Sequence, residues 1–479
     1  MAVLSHLEPA KVFHFFEEIC SIPHGSGNIR QISDYCADFA RQRGLNYIQD
    51  ELGNVIIFAP ATPGYEQAAP VILQGHMDMV CVKTPDCPLD LTRDGLKVAV
   101  EGDSVYAEGT SLGADNGIAV AMMLALIDSP ELPRPAVEAL ITVDEETGLF
   151  GAAGVDMSPM KGMRLINMDS EEEGVFTVSC AGGMRAACTL DVQREQCDLP
   201  QFKLSVEGLL GGHSGIEINK GRGSALKLMG RVLKAVAGKT EMRLVSCGGG
   251  SADNVISKEA AAVICAADAA AVAAAAAEME QQFKTELAET DGGVCVCVSA
   301  GEQGSVSALT AADTAVVIEV LNEVPQGVQA MSRSIEGLVQ TSLNLGVVSL
   351  DDTLTLRFSL RSSVSAEKAA MLADLNEIFN RRGGSVSTDG DYPAWEYREE
   401  SPLRDLMVAT YTDMYGKAPV IEAIHAGLEC GQLTGKRPEL DCISIGPDLK
   451  DVHSVGEKLS VSSTKRTWEF LLEVLKRSK

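Results

Sequence analysis

An α/β fold is predicted for this chain by three features of its sequence. Apolar strand-like runs alternate with helix-period segments over the first 180 residues, the pattern of a sheet covered by helices. Histidines and carboxylates recur just after those runs, and ligands of open α/β sheets gather at the carboxyl ends of strands. The length, 479 residues, exceeds what one core holds, so two domains or more are expected.

Taken in order, strands are expected at 55–59, 71–74, 139–143 and 165–168, and helices at 10–22, 29–43 and 117–129. A second rhythm follows, with strand 202–207, helix 223–236, strands 242–246 and 260–265, helix 269–287 and strand 294–298. The alanine-rich tract 266–277 suits that helix, since Ala has the best helix propensity. The order β-α-β-β-α-β then recurs as strand 315–321, helix 328–335, strands 341–348 and 354–360, helix 366–381 and strand 385–388. After Pro393 come a helix at 403–415, a strand at 442–445 and a final helix at 463–476. The economical organisation is a discontinuous catalytic domain, 1–181 and 394–479, with a central mixed sheet flanked by helices. An α+β lid domain of two such units, 182–393, is inserted into it.

Composition excludes several functions. The net charge of −27, from 40 basic and 67 acidic side chains, argues against nucleic acid, whose phosphates require clustered Lys and Arg. No apolar run is long enough to span a bilayer. The start, Met1-Ala-Val-Leu-Ser, lacks a basic segment and an apolar signal core, so a cytoplasmic location is expected. The 13 cysteines form no Cys-x-x-Cys pair and read as small core residues in a reducing compartment. Cys295 and Cys297, two apart in a strand, share a face but are not candidates for ligand or nucleophile.

Five short stretches carry the chemistry: Gln74-Gly-His76-Met-Asp78, Gly113-Ala-Asp115-Asn-Gly117, Asp144-Glu145-Glu146-Thr-Gly148, Asn167-Met-Asp169-Ser and Asp451-Val-His453-Ser. Together they offer imidazoles and carboxylates, the donors suited to zinc, manganese or cobalt. Such a set can hold two divalent ions and activate a water. Each is ambiguous alone. His76 could be a core histidine, Asp115 a helix N-cap and Glu145–Glu146 a solvated turn. In extended chain Glu145 and Glu146 point to opposite sides, which allows one to bind metal and the other to act as base. Asp78, two residues from His76, would orient the site.

With these motifs the chain resembles the di-zinc metallopeptidase superfamily of aminoacylases, carboxypeptidases and dipeptidases, and within it the bacterial aminoacyl-histidine dipeptidases. The resemblance spans nearly the whole chain and includes Gly208-Leu-Leu-Gly-Gly-His213-Ser-Gly, Asp253-Asn254-Val-Ile, Ser359-Leu-Arg361-Ser and Ile424-His-Ala-Gly427-Leu-Glu-Cys-Gly431. It implies that His76 and Asp169 hold one zinc, Glu146 and His453 the other, and Asp115 bridges both. Glu145 would be the general base and Asp78 would tune the first site. His213 would stabilise the oxyanion, while Asn254, Arg361 and the Gly427 backbone grip the substrate carboxylate. Arginine's planar fork suits that last task.

One departure is that Ser454-Val455-Gly456-Glu457 follows His453, where the family has Ser-Pro and an acidic pair; Val and Gly would leave this loop less stiff. The implied activity is metal-dependent hydrolysis of dipeptides with a free C-terminal carboxylate, Xaa-His and related dipeptides foremost, by a monomer or homodimer. The rivals are an N-acyl-amino-acid deacylase, a carboxypeptidase, or a non-catalytic metal- or peptide-binding relative.

Overall fold

The computed structural model describes residues 3–479, which divide into two compact units. One comprises the described residues up to Cys180, with Tyr397–Ala423 and Leu428–Lys479, the other Ala181–Glu396 and Ile424–Gly427. Among the described residues no helix is long and apolar enough to cross a membrane.

The first unit is built on an eight-stranded mixed sheet. Its strand order is Asn46–Gln49, Val55–Ala59, Val137–Thr142, Val71–His76, Arg164–Asn167, Asp441–Ser444, Val175–Cys180, Val420–Ile424. The central strands Val137–Thr142, Val71–His76, Arg164–Asn167 and Asp441–Ser444 run parallel. Val137–Thr142 and Val71–His76 are buried along their whole length, as expected of parallel strands covered on both faces. Because they point the same way, their carboxyl ends emerge at one edge. The register sets His76 opposite Thr142 and Gln74 opposite Asn167.

Helix Ala114–Ile127 is apolar on every side and buried from Gly117 to Ile127, the mark of a central helix. It packs on helix Ala10–Cys20 and on strand Val71–His76. Gly75 makes that approach possible, since a Cβ there would lie 2.3 Å from the Asn116 carboxamide oxygen and 2.8 Å from Ala119.

The second unit is a nine-stranded antiparallel sheet. Along it lie Cys295–Ala300, Gln201–Glu207, Ala260–Ala266, Met242–Gly249, Val339–Leu350, Thr353–Ser362, Gly182–Asp191 and Ser385–Tyr392, with Gly327–Met331 pairing Val339–Leu350. Helices Ala225–Ala237, Ala269–Glu286, Ala311–Glu323 and Ser365–Asn380 share one apolar core with the inward face of this sheet. Two four-strand halves meet at Met242–Gly249 and Val339–Leu350. In each half the order from the outer edge is last, first, third, second strand of a β-α-β-β-α-β unit.

Two expected elements of the second half are exchanged. The segment 315–321 is not a strand but part of helix Ala311–Glu323, and 328–335 is not a helix but holds strand Gly327–Met331. The run Ala-Val-Val-Ile-Glu-Val is rich in β-branched residues, which favours a strand locally. Thr310 overrides this by accepting the Asp313 N–H as N-cap. Val317, Ile318, Val320 and Leu321 then fall on one buried face. Leu321 packs so close to Gly230 that a Cβ there would sit 2.9 Å from it. The strand that opens this half is Gly182–Asp191, which precedes the other half in sequence.

Candidate metal centre

Three of the five motifs leave the carboxyl ends of the parallel strands Val71–His76, Val137–Thr142 and Arg164–Asn167, and the Asp115 turn and the His453 loop meet them there. His76 ends its strand and is 1% exposed. Its Nδ1 lies 3.0 Å from the Asp78 carbonyl oxygen, which leaves Nε2 facing Asp115 Oδ1 at 3.1 Å and Asp169 Oδ1 at 3.4 Å. His453 Nε2 faces the other oxygen of Asp115 at 3.1 Å and Glu146 Oε2 at 3.0 Å. Asp115 therefore presents one oxygen to each imidazole.

Nitrogen and oxygen ligands of one tetrahedral zinc, bonded at about 2.0–2.2 Å, sit about 3.3 Å apart. The two imidazole–carboxylate sets have that spacing, and Glu146 Oε1 is buried without a hydrogen-bond partner. Both groupings, His76–Asp115–Asp169 and Asp115–Glu146–His453, qualify as metal-ligand clusters. The donor sets thus fit two divalent cations.

Electrostatics agree. Burial, reinforced by Asp115 and Glu429 and opposed by His76, lifts the Asp169 carboxyl to about 7. Burial and the carboxylates of Asp169, Glu429 and Glu146, again opposed by His76, raise Glu145 well above the usual range. Burial also disfavours charge on Asp115, yet hydrogen bonds from His453 and His76 hold it below the usual range. Hydrogen bonds to Asp115 and Glu146 raise His453 to about 10. A cluster of carboxylates is thus neutralised by protons on imidazoles, and divalent cations displace protons from such ligands.

The Glu145–Glu146 segment departs from the extended conformation expected for it. Its strand stops at Thr142, and Asp144 takes a left-handed φ of 50°. The Glu145 and Glu146 N–H groups both point at the Asp78 carboxylate, at 3.0 and 3.4 Å. Both side chains consequently reach the neighbourhood of His76 rather than opposite sides. Asp78 also accepts the Ser26 hydroxyl at 2.8 Å, so it organises this turn while its carbonyl orients the His76 ring. All four non-glycine residues with positive φ among those described (Asp144, Leu149, Asp451 and His453) lie in the two loops that carry Glu145, Glu146 and His453. Such strain collects at functional sites.

Asp115 is not an N-cap. Gly113, left-handed at φ 69°, occupies the cap position, and Asp115 itself is non-helical. The free N–H groups of the turn go instead to Glu457, a residue whose sequence context gives no hint of this role. Its carboxylate accepts from Leu112, Gly113, Ala114 and Asp115 at 2.7, 3.0, 2.8 and 3.3 Å. The loop after His453 is therefore not slack for want of proline. Glu457 anchors one end, and the Ser454 hydroxyl donates to the Asp451 carbonyl and accepts from the Gly456 N–H. Asn116 completes the frame, accepting the His76 N–H and donating to the Met168 carbonyl. Glu429, fully buried beneath the centre, accepts from Gln74 and Thr142. Both lie inside stretches singled out in the sequence, Gly113–Gly117 and Ile424–Gly431, but neither was itself a candidate.

The remaining four candidates belong to the second unit. His213 pairs with Val255 in a short antiparallel ladder. Its Nδ1 accepts N–H groups from Gly215 and Ile216 at 3.2 and 3.4 Å, which assigns the proton to Nε2. Burial and the nearby Arg361 keep this ring below the ordinary histidine pKa, hence neutral. Asn254 lies beside it, its carbonyl accepting the Ser214 N–H at 2.9 Å. Arg361 donates from Nη1 to the Tyr392 hydroxyl at 3.2 Å, and its buried Nε has no partner. Gly427 lies flat against the Tyr392 ring, where a Cβ would come within 2.8 Å. His425, between them in sequence, is held by Ser342 at 2.7 Å.

Comparison with known proteins places this geometry. The sequence profile of Peptidase family M20/M25/M40 matches residues 72–477. The cytosol non-specific dipeptidase of Escherichia coli (strain K12) is 37% identical over 481 residues, covering 99% of each chain. The crystal structure of aminoacylhistidine dipeptidase from Vibrio alginolyticus superposes with a TM-score of 0.95 at 36% identity, over 99% of this chain and 98% of that one. Aminopeptidase PepT from Bacillus cereus shares the fold, with a TM-score of 0.58 at 14% identity over 98% and 99% of the two chains. A profile spanning most of the sequence and a relative alike from end to end leave one conclusion: the chain belongs to peptidase family M20/M25/M40.

Proposed function

We propose that this chain is a metal-dependent dipeptidase acting on dipeptides with a free C-terminal carboxylate, Xaa-His and related dipeptides foremost. The observation that carries the reading is the sharing of Asp115 between two imidazole–carboxylate pairs, with Glu145 alongside as a further carboxylate. The relatives support it, one being a cytosol non-specific dipeptidase and another an aminoacylhistidine dipeptidase.

His76 and Asp169 would hold one zinc ion and Glu146 and His453 the other, with Asp115 available to both; cobalt or manganese would serve in its place. When bound, such a pair polarises the scissile carbonyl and makes water a nucleophile near neutral pH. Glu145 takes the proton of the attacking water on a carboxylate oxygen and returns it to the leaving amine nitrogen. Asp78 keeps the His76 ring and the Glu145–Glu146 turn in place. His213 donates from Nε2–H to the developing oxyanion, a contribution of about 3–4 kcal/mol per donor. Arg361, Asn254 and the Gly427 backbone bind the substrate carboxylate.

The test is a panel of alanyl-histidine, β-alanyl-histidine, a tripeptide and an N-acetyl amino acid, assayed before chelation, after it, and after zinc is restored. Alanyl-histidine should be cleaved fastest, chelation should silence the enzyme, and zinc should restore it. Preference for the N-acetyl amino acid would make the chain a deacylase, and preference for the tripeptide a carboxypeptidase. No turnover with two ions bound would make it a binding protein.

Arg361→Lys should raise KM for dipeptides at least tenfold while kcat stays within a few-fold, because an ammonium cannot replace a bidentate fork. A dipeptide amide, lacking the carboxylate, should not distinguish the variant from the parent enzyme. Equal sensitivity of both substrates would remove Arg361 from carboxylate binding.

A further inference from the structure

We propose that Glu207, Cys295 and Cys297 form a surface site for one thiophilic divalent cation of the zinc or cadmium type, separate from the catalytic centre. The strands Gln201–Glu207 and Cys295–Ala300 pair antiparallel, with Glu207 directly opposite Cys295 and Ser205 opposite Cys297. Alternation decides which way these side chains face. Leu204, Val206 and Val296 enter the core, so the odd-numbered Glu207, Cys295 and Cys297 face outward. A directly opposed pair and a same-face i, i+2 pair make a triangle, and its two sulfurs and one carboxylate oxygen lie within 4.8 Å of one another. Cys297 and Glu207 are exposed and Cys295 half-buried, so a cation has free access. Cys295–Ala300 is the outermost strand of the nine-stranded sheet, and a cation here would clip that edge to its neighbour.

Two thiolates on one tetrahedral zinc, with bonds of about 2.3 Å, stand about 3.8 Å apart. The Cys295 and Cys297 sulfurs already lie within 4.8 Å of each other, so small rotations bring them to that spacing. Two sulfurs and one oxygen leave a fourth position for water. A disulfide between the two suits this backbone less well. At about 3.3 Å rise per residue, positions two apart on a strand are separated by more than 6 Å, whereas a disulfide brings its Cβ atoms to about 3.8 Å. The surrounding charge favours a cation. Burial first, and then Cys297, Glu207 and Glu280, disfavour a bare thiolate at Cys295, and the nearby Lys284 is paired with Glu280 at 2.6 Å. Binding would release the thiol protons to solvent, with no change of oxidation state.

Cobalt(II) separates this site from the catalytic one, whose donors His76, Asp115, Glu146, Asp169 and His453 include no sulfur. Titration of the full-length holoenzyme with cobalt(II), in a non-coordinating reductant, should produce a near-ultraviolet thiolate-to-cobalt charge-transfer band saturating at one equivalent per chain. The double variant Cys295→Ser, Cys297→Ser should lose the band while retaining its catalytic-centre metal content. Glu207→Gln should keep the band but require about tenfold more cobalt to reach it. The site would be disproved by absence of the band in a protein whose two thiols titrate as free. A band surviving the double substitution, or an affinity indifferent to Glu207→Gln, would equally disprove it. None of these readouts depends on peptide hydrolysis, so the dipeptidase assignment and the sulfur site fail or stand independently.

Discussion

Glu145→Gln should leave both catalytic cations bound and reduce kcat on alanyl-histidine by about 10²–10⁴-fold, the range contributed by a positioned general base. Gln is nearly isosteric with Glu and keeps the turn whose N–H groups rest on the Asp78 carboxylate. What it lacks is a site for the proton of the attacking water. KM should change little, because Glu145 has no assigned contact with the substrate carboxylate. Steady-state kinetics combined with metal analysis by mass spectrometry provide the check. Near-normal turnover would exclude Glu145 as base, and loss of one cation per chain would make it a ligand. Glu146→Gln is the natural control, and its dominant effect should be lost metal.

Glu457→Ala should be the most damaging substitution outside the ligands themselves. Its carboxylate, in a residue only 3% exposed, is the acceptor for four consecutive N–H groups of the turn that presents Asp115. Each buried donor left without a partner costs about 1–3 kcal/mol, and partial entry of water should reduce the total to about 3–5 kcal/mol. A loosened turn also releases Asp115, the carboxylate proposed to serve both cations, so metal content should fall along with thermal stability. Glu457→Gln retains one carbonyl acceptor and should lie between the parent protein and the alanine variant in both respects. Thermal unfolding at fixed zinc concentration, followed by metal counting, measures the two effects. An alanine variant with unchanged unfolding temperature and two cations would refute the clamp.

These expectations show where the sequence was legible. His76, Asp115, Glu146, Asp169 and His453, the proposed donors, stood out as candidates because most follow an apolar run or sit in a glycine-flanked turn, and because donor chemistry is written in residue type. The parallel strands were readable for a similar reason: Val71–Leu73 and Ala139–Ile141 are unbroken apolar runs that end at polar donors or turns. Helix Ala311–Glu323 was not readable. Its β-branched composition favours a strand, and only its cap and its packing on Ala225–Ala237 reverse that preference. Strand Gly182–Asp191 was missed because it holds the interior of its half-sheet while standing far in sequence from its partners Thr353–Ser362 and Ser385–Tyr392.

By itself, the sequence determined the donor inventory, the α/β class and the placement of His76, Glu146 and Asp169 at or just after strand ends, since all three follow from residue type and local periodicity. Only the tertiary structure decided which oxygen faces which imidazole, that Asp144 turns Glu145 and Glu146 toward the same histidine, and that Glu457 reaches across the chain to hold the Asp115 turn. The physical reason is range. Periodicity and turn chemistry act within a few residues, whereas a buried carboxylate finds its N–H partners wherever folding delivers them.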